Sequence, residues 1–366
     1  MESPLLEAAG NVAPAASLVG SDRRFAAAAA CTLLAAGCLL SLPTGPPPTG
    51  RLRASSVLAE LRPAPHGSEV TGLSTATGLS GGGSAVAVLK EHSLALSEVG
   101  LVLFVFIFVS ASAKMGTKKL TFIARMKKFP CPPFMGLMGL LFMLCGSALV
   151  MAGPLVRCPV ASIAGAKLLF IFTAIANYAG HWKPWRAALA QGDAAGAAGH
   201  ARSCLANLAI KGGCVVIVGF ALPLLSTKEL LPTMAGYVGW WKRHASCVVE
   251  VGLVLLASPW LLRWSWSSPG SPRWEPAVGL VASALLVSGP LLGGGSCTAT
   301  VAVLSGAAML ILTKLLGTFC EHLGAIQKLD AEVPEDKKTW HTQMLMKDVS
   351  IIGALVFTIS QGIACL

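Results

Sequence analysis

Long apolar runs separated by short polar stretches dominate the chain from residue 94 onward. A helix needs about 20 apolar residues to cross the hydrocarbon core of a bilayer, and eight runs come close to this length or exceed it. They are residues 94–113, 134–156, 160–180, 204–225, 245–262, 276–293, 297–319 and 344–363. The pattern therefore predicts eight core membrane spans.

These apolar runs also determine the fold class. They are continuous, and they lack the alternation of apolar and polar positions that is typical of membrane barrel strands. Backbone polar groups cannot stay unpaired in lipid, and a helix satisfies all of them within one segment. We therefore expect an all-α, polytopic membrane protein.

The N-terminal part of the chain has a different composition. An Ala-rich apolar stretch, residues 25–42, follows two arginines and ends at a proline-rich segment, so we expect a signal anchor or a segment removed on targeting. Residues 43–93 are rich in Gly, Ser, Thr and Pro, which indicates a disordered linker or part of a presequence. The predicted organisation is a targeting or anchor segment and linker over 1–93, one unit over 94–225, a linker over 226–244 and a second unit over 245–363.

Composition supports a membrane protein and predicts its orientation. Hydrophobic residues make up 54% of the chain and charged residues 12%, whereas a soluble domain carries about 25% charged residues. Much of the net charge of +11 lies in short loops between apolar runs, a pattern that orients helices in a bilayer and does not indicate nucleic acid. Most of these bases follow the first, third, fifth and seventh spans. We expect this basic face to be the cytosolic, stromal or matrix side of an intracellular membrane, either endomembrane or organelle, with plastid and mitochondrion both open.

The chain also resembles itself at two fixed offsets. Residues 97–103 (SEVGLVL) match residues 249–255 (VEVGLVL) at an offset of 152, and each stretch opens an apolar run. Two pairs of polar residues match at an offset of 141, namely His181 with His322 and Asn207 with Asp348. Each unit would hold four spans, an even number, so both copies share one orientation about an axis along the membrane normal. The sequence predicts two parallel four-helix units side by side.

Four short motifs of the first unit are distinctive. They are Ser110–Lys114 after the first span, Gly146–Pro154 in the second, Tyr178–Trp182 at the end of the third and Asn207–Gly213 in the fourth. Together they resemble the DoxX superfamily, which includes DoxX, the Surfeit-locus cargo receptors and the plant HR-like lesion-inducing proteins. The second unit matches through Gly289, Pro290, His322 and Asp348. The resemblance covers residues 93–363 and implies a tandem repeat of a four-helix membrane unit.

Charged residues inside the predicted spans are costly and mark candidate sites. Glu98 and Lys167 enter from the less basic face to similar depths, so they are candidates for an ion pair. Lys314 and Asp348 lie near the basic face on consecutive spans and form a second predicted pair. At the 141 offset the first unit has neutral Thr173 and Asn207 in their place, which leaves no lone buried charge. A polar contact that holds two helices together is favoured, and a proton or ligand path is the alternative.

Three other polar residues are candidates. Glu250 matches Glu98 at the 152 offset but has no matching lysine, so it either extends toward Lys242 or Arg243 or stays neutral. His181 and His322 end corresponding spans at the basic face, where each is a motif or interface residue or an anchor at headgroup level. Too few His and carboxylate ligands converge for a metal site.

The sequence therefore predicts a non-enzymatic scaffold or receptor subunit in the lipid bilayer, with protein partners in a membrane complex. It contains no nucleophile elbow, nucleotide-binding loop or paired-carboxylate motif, and hence no catalytic candidate. The DoxX resemblance implies an alternative, a redox-linked subunit associated with quinone or an electron-transfer complex. A small-solute transporter is the further alternative, suggested by two parallel units and charged residues in the spans.

Overall fold

The structure, a computed structural model, describes residues 81–117, 133–226, 232–263, 274–291, 297–328 and 335–365. The chain divides into Met1–Pro48 and Thr49–Leu366, and all described residues belong to the second of these units. The candidate N-terminal anchor, residues 25–42, lies outside the described residues.

The described part of the chain is helical and contains no strand, which confirms the predicted all-α class. The helices are α1 Gly81–Thr117, α2 Pro133–Leu155, α3 Pro159–Asn177, α4 Lys183–Ala190, α5 Ala194–Ala221, α6 Pro232–Arg243, α7 Ala245–Arg263, α8 Trp274–Leu291, α9 Cys297–Lys314, α10 Cys320–Lys328 and α11 Glu335–Cys365. Two π-helical segments, Tyr178–Trp182 and Leu315–Phe319, join α3 to α4 and α9 to α10. A 3-10 turn, Leu222–Leu224, follows α5.

Seven helical stretches among the described residues are long and apolar enough to cross a membrane. They are Lys90–Ala113, Leu137–Leu155, Pro159–Ala190, Ala194–Leu224, Ala245–Leu262, Thr298–Gln327 and Thr339–Ala364. The remaining predicted span, residues 276–293, corresponds to α8, whose apolar part, Glu275–Gly289, is shorter. The chain is thus an all-α polytopic membrane protein.

Two segments that were expected to be linkers contain helix. Helix α1 begins at Gly81, so the linker predicted over 1–93 is wrong from residue 81 onward. The linker predicted over 226–244 contains a helix, α6, over Pro232–Arg243. A proline in the first turn and two bases in the last turn suit the ends of α6. Counting apolar residues does not detect such end signals.

The long helices pack in chain order. Successive contacts run from α1 through α2, α3, α5, α7, α8 and α9 to α11, and α11 returns to pack against α1. Neighbours in this ring are antiparallel: Cβ atoms added to Gly146 and Gly153 of α2 would meet Leu169 and Ser162 of α3, respectively. Successive helices of the ring therefore alternate in direction.

Two crossings between the predicted units have glycine on both helices. A Cβ on Gly100 of α1 would lie 2.6 Å from a backbone nitrogen of α11, opposite Gly353. A Cβ on Gly252 of α7 would lie 2.8 Å from a backbone nitrogen of α5, opposite Gly212. Small residues allow such close backbone contact between membrane helices. The first helix of each predicted unit thus packs against the last helix of the other, so the two units interlock.

Helices α5 and α11 meet at the centre of this arrangement and run parallel. The Ser203 hydroxyl of α5 donates to Met344 Sδ of α11 at 3.7 Å. Further along both helices, a Cβ on Gly213 would lie 2.9 Å from Ala354 Cβ. The two contacts advance in the same direction along α5 and α11, which requires parallel helices.

Candidate functional site

The predicted ion pair between Lys314 and Asp348 is present. Lys314 Nζ lies 2.6 Å from Asp348 Oδ1, and the two side chains are 10% and 0% exposed. The antiparallel packing of α9 and α11 places the last residue of α9 opposite Asp348. Lys314 Nζ also lies 5.4 Å from the ring centre of Trp260, a cation–π distance. Asp348 Oδ2 has no hydrogen-bond partner among the described residues.

Glu275 lies at the same end of the helix bundle as the ion pair, among the helices of the second predicted unit, 245–363. It is buried in the first turn of α8, and its carboxyl group packs against the π-helical segment after α9. A Cβ added to Gly317 would lie 2.9 Å from Glu275 Oε1. The sequence prediction started the corresponding span at residue 276 and therefore missed this acid.

His322 is buried next to the ion pair and contacts α11. Its Nδ1 atom lies 3.1 Å from Nδ1 of His341, and its ring centre lies 5.4 Å from that of Trp340. A side chain buried in this way joins two helices, so His322 is not an exposed headgroup anchor. We call this group the second polar cluster; its members are Trp260, Glu275, Lys314, His322, His341 and Asp348.

His181 lies at the same end of the first predicted unit, 94–225, in the π-helical segment after α3. Its Nε2 atom is 3.3 Å from Nζ of Lys347, which belongs to α11. Its ring centre is 6.0 Å from that of His200 on α5. Its Nδ1 atom is buried and has no hydrogen-bond partner in the described part of the chain. His181 therefore contacts both central helices.

Asn207 is buried, but its partner is not the one that the repeat suggested. Its Nδ2 atom donates to Asn177 Oδ1 at 3.3 Å. The Thr173 hydroxyl instead donates to the Leu169 carbonyl of its own helix at 2.7 Å. The neutral counterpart of the ion pair is thus an amide contact one turn nearer the end of α3. We call Asn177, His181, His200, Cys204, Asn207 and Lys347 the first polar cluster.

Sequence reasoning missed two buried lysines. Lys347 is 7% exposed and Lys211 is 2% exposed. The Cys204 thiol has both of them as charged neighbours. Lys347 precedes Asp348 directly, and Lys211 lies inside a motif that was used only for the resemblance. The rule that selected Lys167, a lysine within an apolar run, would have found both.

The predicted ion pair between Glu98 and Lys167 is wrong. Both side chains are exposed, and neither pairs with an oppositely charged group in the residues that the structure covers. Helix α2 packs against both α1 and α3, and α1 meets α3 at Phe108 and Phe172, whose ring centres are 6.2 Å apart, at the end of α1 away from Glu98. Similar depth in the membrane is not sufficient for contact, because the two helices must also meet at that depth.

Glu250 is half-buried on α7. Lys242, one of the two bases toward which we expected it to extend, donates instead to the Leu225 carbonyl at 2.7 Å. That bond ties α6 to the end of the α5 segment. Within the described ranges, Glu250 forms no ion pair.

The arrangement of these polar groups defines what the two clusters can do. Among the residues that the structure describes, no group of three His, Cys, Asp or Glu side chains could hold a metal ion. The clusters offer ammonium, imidazole, amide and carboxylate groups at helix contacts near one face. They are therefore suited to hold helices together and to bind a polar ligand.

Fold and clusters together define the class of the chain, which is a multi-pass, all-α membrane protein. No family model matches the chain, and neither the curated proteins nor the solved structures contain a match.

Proposed function

We propose that the chain is a non-enzymatic receptor or scaffold subunit that binds partner proteins at the face where α3 and α9 end. The observation that carries this proposal is that both helices continue beyond the polar clusters into short helices. Helix α4 packs against α5 and contains buried Trp185, and α10 packs against α11, where His322 contacts His341. Their outer sides carry exposed charges, including Lys183, Arg186 and Glu321. Charged side chains on anchored helices suit recognition of a soluble partner.

We further propose that the two halves are related four-helix units, as the resemblance to the DoxX superfamily implies. The glycine crossings support this, because Gly100 and Gly252 are separated by 152 residues, and Gly212 and Gly353 by 141. The histidine pairs His181–His200 and His322–His341 are also separated by 141 residues. Contacts between α5 and α11 join residues at this same separation, which is expected for contacts on a two-fold axis.

A small-solute transporter is a second candidate function. It is favoured by Asp348, whose fully buried carboxylate has one oxygen without a partner among the described residues. Intramembrane carboxylates of this kind occur in proton and substrate paths. Proteoliposome uptake that Asp348→Asn abolishes would support transport. The redox alternative requires bound quinone, and extraction of the purified protein tests it.

Site-specific photocrosslinking tests the partner-binding proposal. A photoreactive amino acid replaces Arg186 on α4 or Glu321 on α10, and the matched control replaces exposed Arg157 between α2 and α3, at the opposite face. We expect one discrete crosslinked protein from both test positions in native membranes and none from the control. Identical products from all three positions, or none from either test position, would rule out partner binding at this face.

A further inference from the structure

The first polar cluster contains a buried lysine with no described carboxylate at ion-pair distance, and the charge of Asp348 acts on it only from farther away. Lys347 is 7% exposed, yet it forms no ion pair with any described carboxylate. The adjacent Asp348 pairs with Lys314 instead. Lys211, also buried, is a second cation on α5, about two helical turns from Cys204, and its charge acts on the Cys204 thiol. Because charges in membrane spans normally face an opposite charge or a cavity, this cluster has the composition of an anion site.

The hydrogen-bonding groups of the cluster support the same conclusion. A lysine ammonium has only protons to donate, so His181 Nε2 accepts from Lys347 across their 3.3 Å contact. The ring proton of His181 then lies on Nδ1, which is buried and has no acceptor in the described part of the chain. Since an unpaired buried donor is costly, an anionic oxygen at this position would satisfy it.

The depth of the cluster indicates which anion could reach it. Lys347 follows the start of the apolar stretch Thr339–Ala364 by eight residues, which is about 12 Å along the helix. His181 lies in the segment just after α3. Basic pockets between membrane helices at this level bind the headgroups of anionic phospholipids. The chemical group that suits them is a phosphate.

We propose that the first polar cluster binds a phosphate group, supplied either by an anionic phospholipid or by a free phosphate ion. Lys347 provides the charge, and His181 Nδ1 donates a hydrogen bond to a phosphate oxygen. The second polar cluster does not bind phosphate in this way, because Asp348 already neutralises Lys314. This site lies between the helices at the same face as the proposed partner-binding surface, but it involves buried side chains and does not depend on partner binding.

A titration of the purified full-length chain in detergent tests the site. The probes are inorganic phosphate and short-chain phosphatidic acid, with short-chain phosphatidylcholine as the zwitterionic control, and the readout is the concentration dependence of the thermal midpoint. We expect Lys347→Gln to weaken binding by about tenfold or more, because it removes a charge-assisted hydrogen bond. His181→Gln should weaken binding too. Lys167→Gln, which changes an exposed lysine on α3, should bind as the unmodified chain does.

The possible outcomes distinguish a phospholipid ligand, a free phosphate ion and the absence of a phosphate site. Saturable binding of phosphatidic acid alone identifies a lipid, and saturable binding of inorganic phosphate identifies the free ion. Absence of saturable binding of both probes to the unmodified chain overturns the proposal, whatever the variants do. Unchanged affinity in Lys347→Gln also overturns it. If Lys347→Gln does not fold, unchanged affinity in His181→Gln has the same consequence.

Discussion

Lys347 and Asp348 are adjacent in the chain, yet they serve different halves of the molecule. The carboxylate binds Lys314 on α9, and the ammonium group contacts His181 after α3. Neighbouring residues on a helix are about 100° apart, so α11 reaches two polar clusters from one turn. This position of α11 explains why substitutions at the two residues should have separate effects.

The ion pair makes a specific prediction about stability. Asp348→Asn should lower the free energy of unfolding by about 3 to 5 kcal/mol, because it leaves Lys314 buried without its carboxylate. The double variant Lys314→Thr/Asp348→Asn should recover much of this loss, since neither partner is then charged. Glu98→Gln, at an exposed acid, is the matched control and should have little effect. Thermal unfolding in detergent provides the measurement, and strictly additive effects of the two single changes would contradict the pair.

The sequence predicted a contact between two charged residues correctly where they lie at similar depth and also on neighbouring helices. Lys314 and Asp348 share both depth and neighbouring helices, because one short connection joins α9–α10 to α11. Glu98 and Lys167 share depth only, since α2 packs against both of their helices and α1 meets α3 farther along, at Phe108 and Phe172. The contact between Lys347 and His181 depends on the packing of two distant segments, which no local sequence pattern specifies.

At the scale of helices, close glycine contacts fix how α1 meets α11 and how α5 meets α7. At each crossing the two backbones are in direct contact. A Cβ atom added there would meet backbone atoms, which cannot move aside as a flexible side chain can. Van der Waals contact of this kind drives helix association in a membrane, where lipid removes the hydrophobic driving force between helices. The interlocking of the two halves therefore depends on these positions.

The glycine crossing yields a prediction with an internal control. Gly353→Ala would place a Cβ 2.7 Å from the Gly100 carbonyl oxygen, and backbone cannot rotate away as a side chain can. We expect a loss of about 1 to 3 kcal/mol, the usual cost of overpacking. The Cβ atom that Gly199→Ala adds on α5 would have no neighbouring atom within 4 Å. This variant should be neutral or more stable by up to about 1 kcal/mol. Equal thermal midpoints for the two variants would show that the crossing is looser than described.

Helix prediction was most accurate for long apolar runs and least accurate at their ends. The run over 94–113 lies inside α1, but the helix also includes residues before Lys90 that are not part of the apolar stretch. Helix α6 contains several aromatic and charged residues, so a search for continuous apolar runs treats it as a linker. Its existence depends on end signals and on packing near α5 and α7.

At the scale of the whole molecule, α8 decides the topology. Its apolar part is shorter than the other spans, yet α8 packs antiparallel to α9 along its length. Cβ atoms added to Gly289 of α8 and Gly306 of α9 would meet the opposite helix in the C-terminal half of α8, and one added to Gly317 after α9 would meet Glu275 at its start. A helix that packs in this way between two spans should also cross the bilayer, which gives eight crossings within the described part of the chain.

Thiol labelling distinguishes eight crossings from seven. In a cysteine-free background, Glu91→Cys at the start of the first span and Ala364→Cys at the end of the last should react with an impermeant reagent from the same side. Arg186→Cys should react only from the other side, where the bases in the loops predict the cytosolic, stromal or matrix compartment. Labelling of Glu91→Cys and Ala364→Cys from opposite sides would show that α8 does not cross.

The central claim is that the two halves meet along parallel α5 and α11, and proximity crosslinking between these helices tests it most directly. A cysteine-free chain carries Ser203→Cys with Met344→Cys, plus a protease site between α7 and α8, so that only a crosslink holds the fragments together. A short thiol crosslinker should join this pair, because Ser203 Oγ and Met344 Sδ are 3.7 Å apart. The control pair, Ser203→Cys with Ala354→Cys, should stay separate, since Ala354 lies opposite Gly213. Efficient crosslinking of the control pair and none of the first pair would contradict the parallel arrangement of the two halves.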